Sequence, residues 1–455
     1  MVVLLMPLVF VAVLLLAKWF SQPRKTSPYH GKGSPSFLGN APDYAASPVS
    51  LIREAGVRCG SALSVQLQMI YNCLLRTTKL DVVHLDVSEN APSFCHGMGA
   101  FLNKTVDLEY TKNSKAMVGS FPRYMGRAEA QEHTARCTTG ETHSSALEWT
   151  TRSDVELFAG VSELTHNVLV RSLMGDDFCE SGDELLGLVR SMERDAGDFW
   201  CSALPDWAPY PPARRLRRAR ERVGEIFLER LGQRHVDAKN GELRSDLPDY
   251  ITYMLHDRST APLRHCFASH HTVLMLASDT STAAVISWAV VCLLRHPDVM
   301  AAVKRDARSG AGDSALLQAC IKETTRHYNA MKRSRAAAAA APLKHEDSES
   351  YPNFDTWMPG RWLNAENKLV DLGDRCAVLG SGGRRCPGEG MAAIVVTQTL
   401  ATLLRCYDIG WVTPDQPRTV RFDDLDFDRL GSPWLRSGLR VKVSRRVWPE
   451  LMGGC

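Results

Sequence analysis

No two of the thirteen cysteines in this 455-residue chain form a C-x-x-C pair, and the set is odd in number and scattered from Cys59 to Cys455. That pattern excludes a zinc module built on paired thiols and a small disulfide scaffold. Dispersed thiols fit a reducing, cytosolic setting. An excess of either charge is lacking too: 54 basic against 51 acidic residues leave a formal +3, which gives no electrostatic case for nucleic acid. A dinucleotide fingerprint also fails. Gly388-x-Gly390-x-x-Ala393 has the glycine spacing but is preceded by Arg384-Arg385-Cys386-Pro387, not by a strand running into the first glycine. What remains is 44% hydrophobic and 23% charged, an ordinary globular balance able to bury a sizeable core.

The first seventeen residues, Met1 to Ala17, carry no charge, and Lys18, Arg24 and Lys25 follow. With Trp19 and Phe20 at the interface the run is long enough for one spanning helix. A cleaved signal peptide would show a positive leader and small residues at the cut, and neither is present. The expected organisation is an anchor over 1–20, a Pro/Gly/Ser-rich tether over 21–40, and one domain over 41–455 facing the cytosol by the positive-inside rule. Ser64 to Ile70 alternates like a strand, and from about Ala130 the chain reads mostly helical. The expected fold class is therefore mainly α with a smaller β region. Asn103-Lys104-Thr105 fits a glycosylation acceptor that a cytosolic domain would leave bare.

Two further stretches have plain readings. Arg214, Arg215, Arg217, Arg218, Arg220 and Arg222 are interleaved with Leu216, Val223, Phe227 and Leu231 at near-helical spacing, so the arginines read as a solvated face. Thr272 to Leu294 is the most apolar internal run, yet Ser278-Asp279-Thr280-Ser281-Thr282 lies near its middle. A carboxylate is costly in lipid, and short polar side chains compete for backbone hydrogen bonds. A core helix distorted at a functional groove is the expectation.

The chain is organised around Leu379-Gly-Ser-Gly-Gly-Arg-Arg-Cys386-Pro-Gly-Glu-Gly390, followed by a helix-like run from Met391 to Cys406. A thiolate near positive charge and a helix start has a lowered pKa and is ready to ligate a metal. The loop resembles the haem-binding loop of the cytochrome P-450 monooxygenases, F-x-x-G-x-R-x-C-x-G. Leu379 replaces the aromatic, while Gly382, Arg384, Cys386 and Gly388 fit. The resemblance implies the P-450 fold, haem with Cys386 as axial thiolate, and Arg384 on a propionate. A thiolate ligand favours O–O cleavage at the iron.

Other motifs follow in the same family's order. Ala277-Ser278-Asp279-Thr280 resembles the central-helix motif whose acid and alcohol relay protons, so Asp279 and Thr280 are the expected catalytic pair. Lys322-Glu323-Thr324-Thr325-Arg326 resembles E-x-x-R, and Trp357-Met358-Pro359-Gly360-Arg361-Trp362 resembles F-x-P-x-R-W. Glu323, Arg326 and Arg361 are then expected to form a structural triad beneath the haem loop. Phe199 to Pro212 loosely resembles the sterol 14-alpha-demethylase branch.

The pattern breaks in two places. Only 34 residues separate Arg326 from Arg361, and six alanines, Ala336 to Ala341, lie among them. Part of a substrate-lining sheet is expected to be missing, shortening the domain between 327 and 350. The second propionate base is assigned to Arg123, although Pro122 beside it should break a helix. By the resemblance, the chain is a monooxygenase of a lipophilic small molecule, a terpenoid, sterol or polyketide of secondary metabolism. Its electrons come from NADPH through NADPH-cytochrome P-450 reductase, with cytochrome b5 as a further donor, at the endoplasmic reticulum membrane. The alternatives are an isomerase or dehydratase acting on a peroxide, and a degenerate scaffold without activity.

Overall fold

A computed structural model describes residues 62–67, 70–75, 105–196, 201, 209–240, 248–308, 314–328, 351–353, 355–370, 379, 386–413, 420, 424–426 and 433–446. The proposed anchor and tether, Asn103 and Lys104, most of the 14-alpha-demethylase-like stretch and the alanine tract all lie outside these residues. Among the described residues the protein is mainly helical with small sheets, as the composition and periodicity predict.

The stretch read as one strand is a hairpin. β1 (Ala62–Leu67) turns into antiparallel β2 (Ile70–Leu75). Helix α1 (Leu108–Met125) is followed by α2 (Ala128–Thr151), the short strand β3 (Val155–Glu156), α3 (Leu157–Leu169), α4 (Gly182–Ala196), α5 (Pro211–Asn240) and α6 (Tyr250–His256). The long α7 (Phe267–Arg295) leads to α8 (Pro297–Arg308) and α9 (Ala315–His327). The C-terminal part holds α10 (Glu389–Cys406), β4 (Tyr407–Trp411), β5 (Leu425–Asp426), β6 (Trp434–Leu435) and β7 (Arg440–Arg445). β7 lies between β3 and β4, antiparallel to both, and β5 pairs with β6.

Helix α7 is the axis of the core, packed by α1, α3, α4, α5, α8, α9 and α10. Its segment is long and apolar enough to cross a membrane, yet 78% of the apolar window is buried inside the protein, so it is a core helix. Trp288 anchors its C-terminal half: the ring stacks on Tyr328 at 4.0 Å, and the indole N–H donates to the Pro433 carbonyl at 2.7 Å.

Two sequence expectations are corrected here. Pro122 does not break α1, which runs on to Met125: the ring forgoes the bond to the Val118 carbonyl, but so near the end little helix follows to be kinked. Its own carbonyl accepts the Gly126 N–H at 2.9 Å and helps cap the helix. Nor is α7 distorted at its polar cluster; it is helical throughout. Thr272, Ser278 and Ser281 return their hydroxyls to the carbonyls four residues back, which satisfies them without unwinding the turn.

The arginine-rich face of α5 does more than meet solvent. Leu216, Val223 and Phe227 are buried as the stripe predicts. Arg215 makes two bonds to Asp195 at 2.9 and 2.7 Å, and Arg222 two to Glu184 at 2.6 and 3.0 Å, tying α5 to α4. Further along, Arg234 is buried. It bonds Asp177 at 2.8 and 2.6 Å, Asp249 at 3.0 Å, Thr252 at 3.2 Å and the Met174 carbonyl. Gly175 makes room for it. With φ +98° it takes a conformation that other residues resist, and a Cβ there would lie 2.5 Å from Arg234 Nη2.

A second buried cluster joins α9 to residues 351–353 and 355–363. Glu323 accepts from Arg326 Nε and Nη2 at 2.9 and 2.8 Å, Arg361 Nε at 3.0 Å, the Met358 amide at 2.9 Å and the Trp362 indole at 2.9 Å. The side chain of Glu323 is fully buried. Both guanidinium groups lie over the Tyr351 ring, at 5.2 and 6.0 Å. Arg361 spends its other donors on the carbonyls of Pro352, Asn353 and Thr356.

Two predictions follow from these buried ions. Replacing Arg234 by Met strands Asp249 in the core, and urea unfolding is expected to show a loss of about 3–5 kcal/mol, partly recovered in the double variant with Asp249→Asn. For Glu323, burial by itself raises the pKa. Hydrogen bonds and charge from Arg326, with the Met358 amide and the Trp362 indole, override it and hold the group below 4.5. A depressed folded pKa stabilises the fold above the unfolded value and is lost as pH falls through the folded one. Glu323→Gln is therefore expected to destabilise the protein at neutral pH and to flatten the acid limb of its stability curve below pH 4.5.

Candidate haem-thiolate site

The sulfur of Cys386 is placed by a turn and a helix start. Its amide donates to the Leu379 carbonyl at 2.7 Å, which ties position 386 back to 379. Pro387 and Gly388 turn the chain, and Gly388 caps the eighteen-residue α10. Cys386 thus sits at the positive end of that helix, where a thiolate is favoured over a thiol. The residue is half-buried. A Cβ built on Gly388 would meet Cys386 Sγ at 3.9 Å and Phe121 Cε1 at 4.0 Å, so sulfur and ring both lie near that glycine. Those are ordinary contact distances, and crowding alone does not demand glycine here.

Other thiols are treated differently. Burial pushes Cys137 up to about 11 and Cys320 up to about 12, and it raises Cys292 further. They are protonated, apolar filling.

The donor set fits haem. Among the described residues no three or more His, Cys, Asp or Glu converge as a metal cluster. A bare ion needs three or four protein ligands. One half-buried thiol at a helix N-terminus, with the buried ring of Phe121 beside it, suits an iron that arrives with four porphyrin nitrogens.

Of the remaining candidates, Gly382 and Arg384 lie outside the described residues. Leu379 contributes its carbonyl. Arg123 points elsewhere: two positions on from Phe121, it lies about 200° round α1. Its guanidinium bonds the Gly119 carbonyl at 3.0 Å and Ser259 at 2.8 Å and pairs with Asp257 at 3.5 Å. The structure does not bring it to the Cys386 loop. Glu323, Arg326 and Arg361 are brought together, as described above.

Asp279 and Thr280 also face partners that sequence spacing did not reveal. Asp279 Oδ2 lies 3.4 Å from His166 Nδ1 on α3, while His166 Nε2 is 3.0 Å from the Gly182 carbonyl. With Nε2–H given to that carbonyl, the pair bonds only when a proton sits between Asp279 and Nδ1. Asp279 Oδ1 has no hydrogen-bond partner among the described residues. Thr280 Oγ1 donates to Glu193 on α4 at 3.3 Å. Asp279, Thr280 and Glu193 line a small cavity with Ser162, Arg190, Leu276 and Trp434. No local pattern could have identified His166 or Glu193, since only the packing of α3 and α4 on α7 brings them close.

Another face of α7 is less covered. From Ser269 to Leu293 every residue is buried except Val273, Leu274, Ala277, Ser278, Ser281 and Val285. Their spacing places them on one helical face. Helix α1 borders that face at its N-terminal end, where Tyr110 bonds His270 at 3.3 Å, and α1 carries Phe121 to the Cys386 turn.

Comparison with known proteins agrees with this geometry. The Cytochrome P450 family profile matches residues 132–343 and 339–424, its two segments meeting at the alanine tract. The chain is 38% identical to "Cytochrome P450 monooxygenase pynD" of Aspergillus niger, over 93% of this chain and 94% of that protein. It is 34% identical to "Cytochrome P450 monooxygenase pyvB" of Aspergillus violaceofuscus, over 96% and 94%. With "Cytochrome P450 monooxygenase pytD" of Aspergillus terreus it shares 35% identity over 76% and 99%. A thiol held at a helix start, the buried Glu–Arg–Arg cluster and these relatives lead to one conclusion: the chain belongs to the cytochrome P450 family of haem-dependent monooxygenases, whose iron takes a cysteine thiolate as axial ligand.

Proposed function

We propose that this chain oxidises a lipophilic small molecule of secondary metabolism at the cytosolic face of the endoplasmic reticulum, anchored by residues 1–20. Cys386 carries the reading: it is a half-buried thiol at a helix N-terminus, beside an apolar ring and in the family's haem loop. Cys386 would hold the iron, with Arg384, Gly382, Leu379 and Gly388 forming the loop around the porphyrin. Bound there, haem supplies the chemistry that inserts one atom of dioxygen into a C–H bond.

The protein's part is to seat, orient and exclude. The open face of α7, with Val273, Leu274, Ala277 and Val285, is mainly apolar and suits a flat ligand and a lipophilic substrate. Asp279 and Thr280, assigned by the resemblance to proton relay, would act from the cavity behind that face. A reductase passes electrons to the family's members, and NADPH-cytochrome P-450 reductase, with cytochrome b5 as a further donor, is the partner proposed here. The short interval between Arg326 and Arg361 supports a pocket differently walled from that of longer members.

The test is spectroscopic. Reduced wild-type protein under carbon monoxide is expected to show the red-shifted band of thiolate-ligated haem, and Cys386→Ser is expected to lose it. NADPH-dependent oxygen uptake with the reductase supports the monooxygenase, whereas turnover of a hydroperoxide without NADPH would replace that reading by an isomerase or dehydratase.

A further inference from the structure

Resting on the haem-thiolate reading above, we propose that His166 is a positioning residue for Asp279: the two buried side chains hold one proton between them, and the imidazole returns it to the relay carboxyl. Asp279 and Thr280 keep the relay role that the resemblance assigns. His166 stands on α3 and reaches two neighbouring helices. Its Nε2 lies 3.0 Å from the carbonyl of Gly182, the first residue of α4, and its Nδ1 lies 3.4 Å from Asp279 Oδ2 in the middle of α7. The imidazole is fully enclosed, and the Asp279 side chain is 6% exposed. A carbonyl only accepts, so Nε2 carries a hydrogen in every state of the ring. Nδ1 then faces Oδ2 with the one position left. Two bare lone pairs shut away from water repel, whereas one proton between them, on Nδ1 or on Oδ2, makes the contact a hydrogen bond.

The other half of the carboxyl separates this pair from a plain tie between helices. A buried carboxylate kept only as a tie would spend both oxygens on donors, but Asp279 Oδ1 has no hydrogen-bond partner among the described residues. Asp279 also lines the small cavity that it shares with Thr280, Glu193 and Arg190, and Arg190 is exposed on α4. The carboxyl therefore lies between an enclosed proton holder and a cavity whose wall includes a surface side chain. In one delivery the Nδ1–H bond breaks as Oδ2–H forms. Turning about the Cβ–Cγ bond exchanges the two oxygens and carries the proton away from the imidazole. There the O–H bond breaks as the proton passes to the Thr280 hydroxyl or to a water in the cavity. A proton from solvent restores the pair, and both residues end unchanged. The overall reaction takes its two protons from solvent and its two electrons from the reductase.

Nitrogen NMR reads the pair without turnover. In the ferrous carbonyl holoenzyme carrying isotopically labelled histidine, one ring nitrogen is expected to resonate toward the protonated end of the imidazole range. Asp279→Leu is expected to move it to the position of a bare imidazole nitrogen, and His166→Asn to abolish it. His166→Asn keeps an amide near the Nδ1 position but cannot pass a proton, which separates storage from support. With its thiolate band retained, that variant is expected to raise the ratio of hydrogen peroxide to oxidised product in reductase-coupled turnover by about tenfold. In an Asp279→Asn background the same change is expected to add nothing, because His166 acts through that carboxyl. A bare Nδ1 resonance in the wild-type protein would overturn the inference, and the Asp279→Leu comparison decides this even where His166→Asn does not fold. An unchanged peroxide ratio in His166→Asn, or an effect that adds to that of Asp279→Asn, would overturn it too. If wild-type protein lacks the thiolate band under carbon monoxide, the haem reading itself fails, and this role with it; a band present beside a bare Nδ1 sinks the role alone.

Discussion

The carboxylate of Glu323 is the constraint on which the C-terminal half depends. Three side chains and one backbone amide converge on its two oxygens, and they come from α9 and from the 357–362 stretch, which the carboxylate ties together. Such a cluster is strong only when complete. Its ions are out of water, and each depends on the others for solvation. Aromatic residues complete it: Trp362 donates, Trp357 bonds Thr324 at 3.0 Å, and Tyr351 lies beneath both guanidinium groups. A lysine in place of either arginine would keep the charge but lose the planar fork.

Helix α7 divides the interior into two environments. On one side Asp279, Thr280 and Glu193 line a small cavity; elsewhere a mainly apolar face with two serines is only half-buried. The same short polar run supplies both. Its side chains part company because successive residues of a helix diverge by about 100°. No kink is needed, because the serines satisfy the helix's own carbonyls.

How much was legible in the sequence depended on range. The helical class and the buried stripe of Leu216, Val223 and Phe227 followed from periodicity, and the core character of the 272–294 run from the carboxylate within it; both signals are local. E-x-x-R placed Glu323 and Arg326 on one face, and the later tryptophan–arginine motif supplied Arg361. Their meeting depends on tertiary packing, and only the family resemblance foretold it. The same limit explains the misses. Pro122 was judged by its type, whereas its position near a helix end leaves little helix beyond it to kink. Arg123 was placed by neighbourhood in sequence, but Asp257 and Ser259, more than 130 residues away, hold its guanidinium. The polar run of α7 was read as a motif, and a motif does not say which of its alcohols looks which way. Arg234, His166 and Glu193 left no local trace at all.

The burial of the other thiols bears on endurance. A haemoprotein that handles oxygen meets stray oxidant released within itself, and sulfur is attacked as thiolate far more readily than as thiol. Cys137, Cys292 and Cys320 are held in the protonated form by the surrounding hydrocarbon. The packing that fills the core thereby also shields these sulfurs from corrosion, and among the described thiols it leaves the helix-start cysteine, half-buried like Cys179, as a place where such wear would begin.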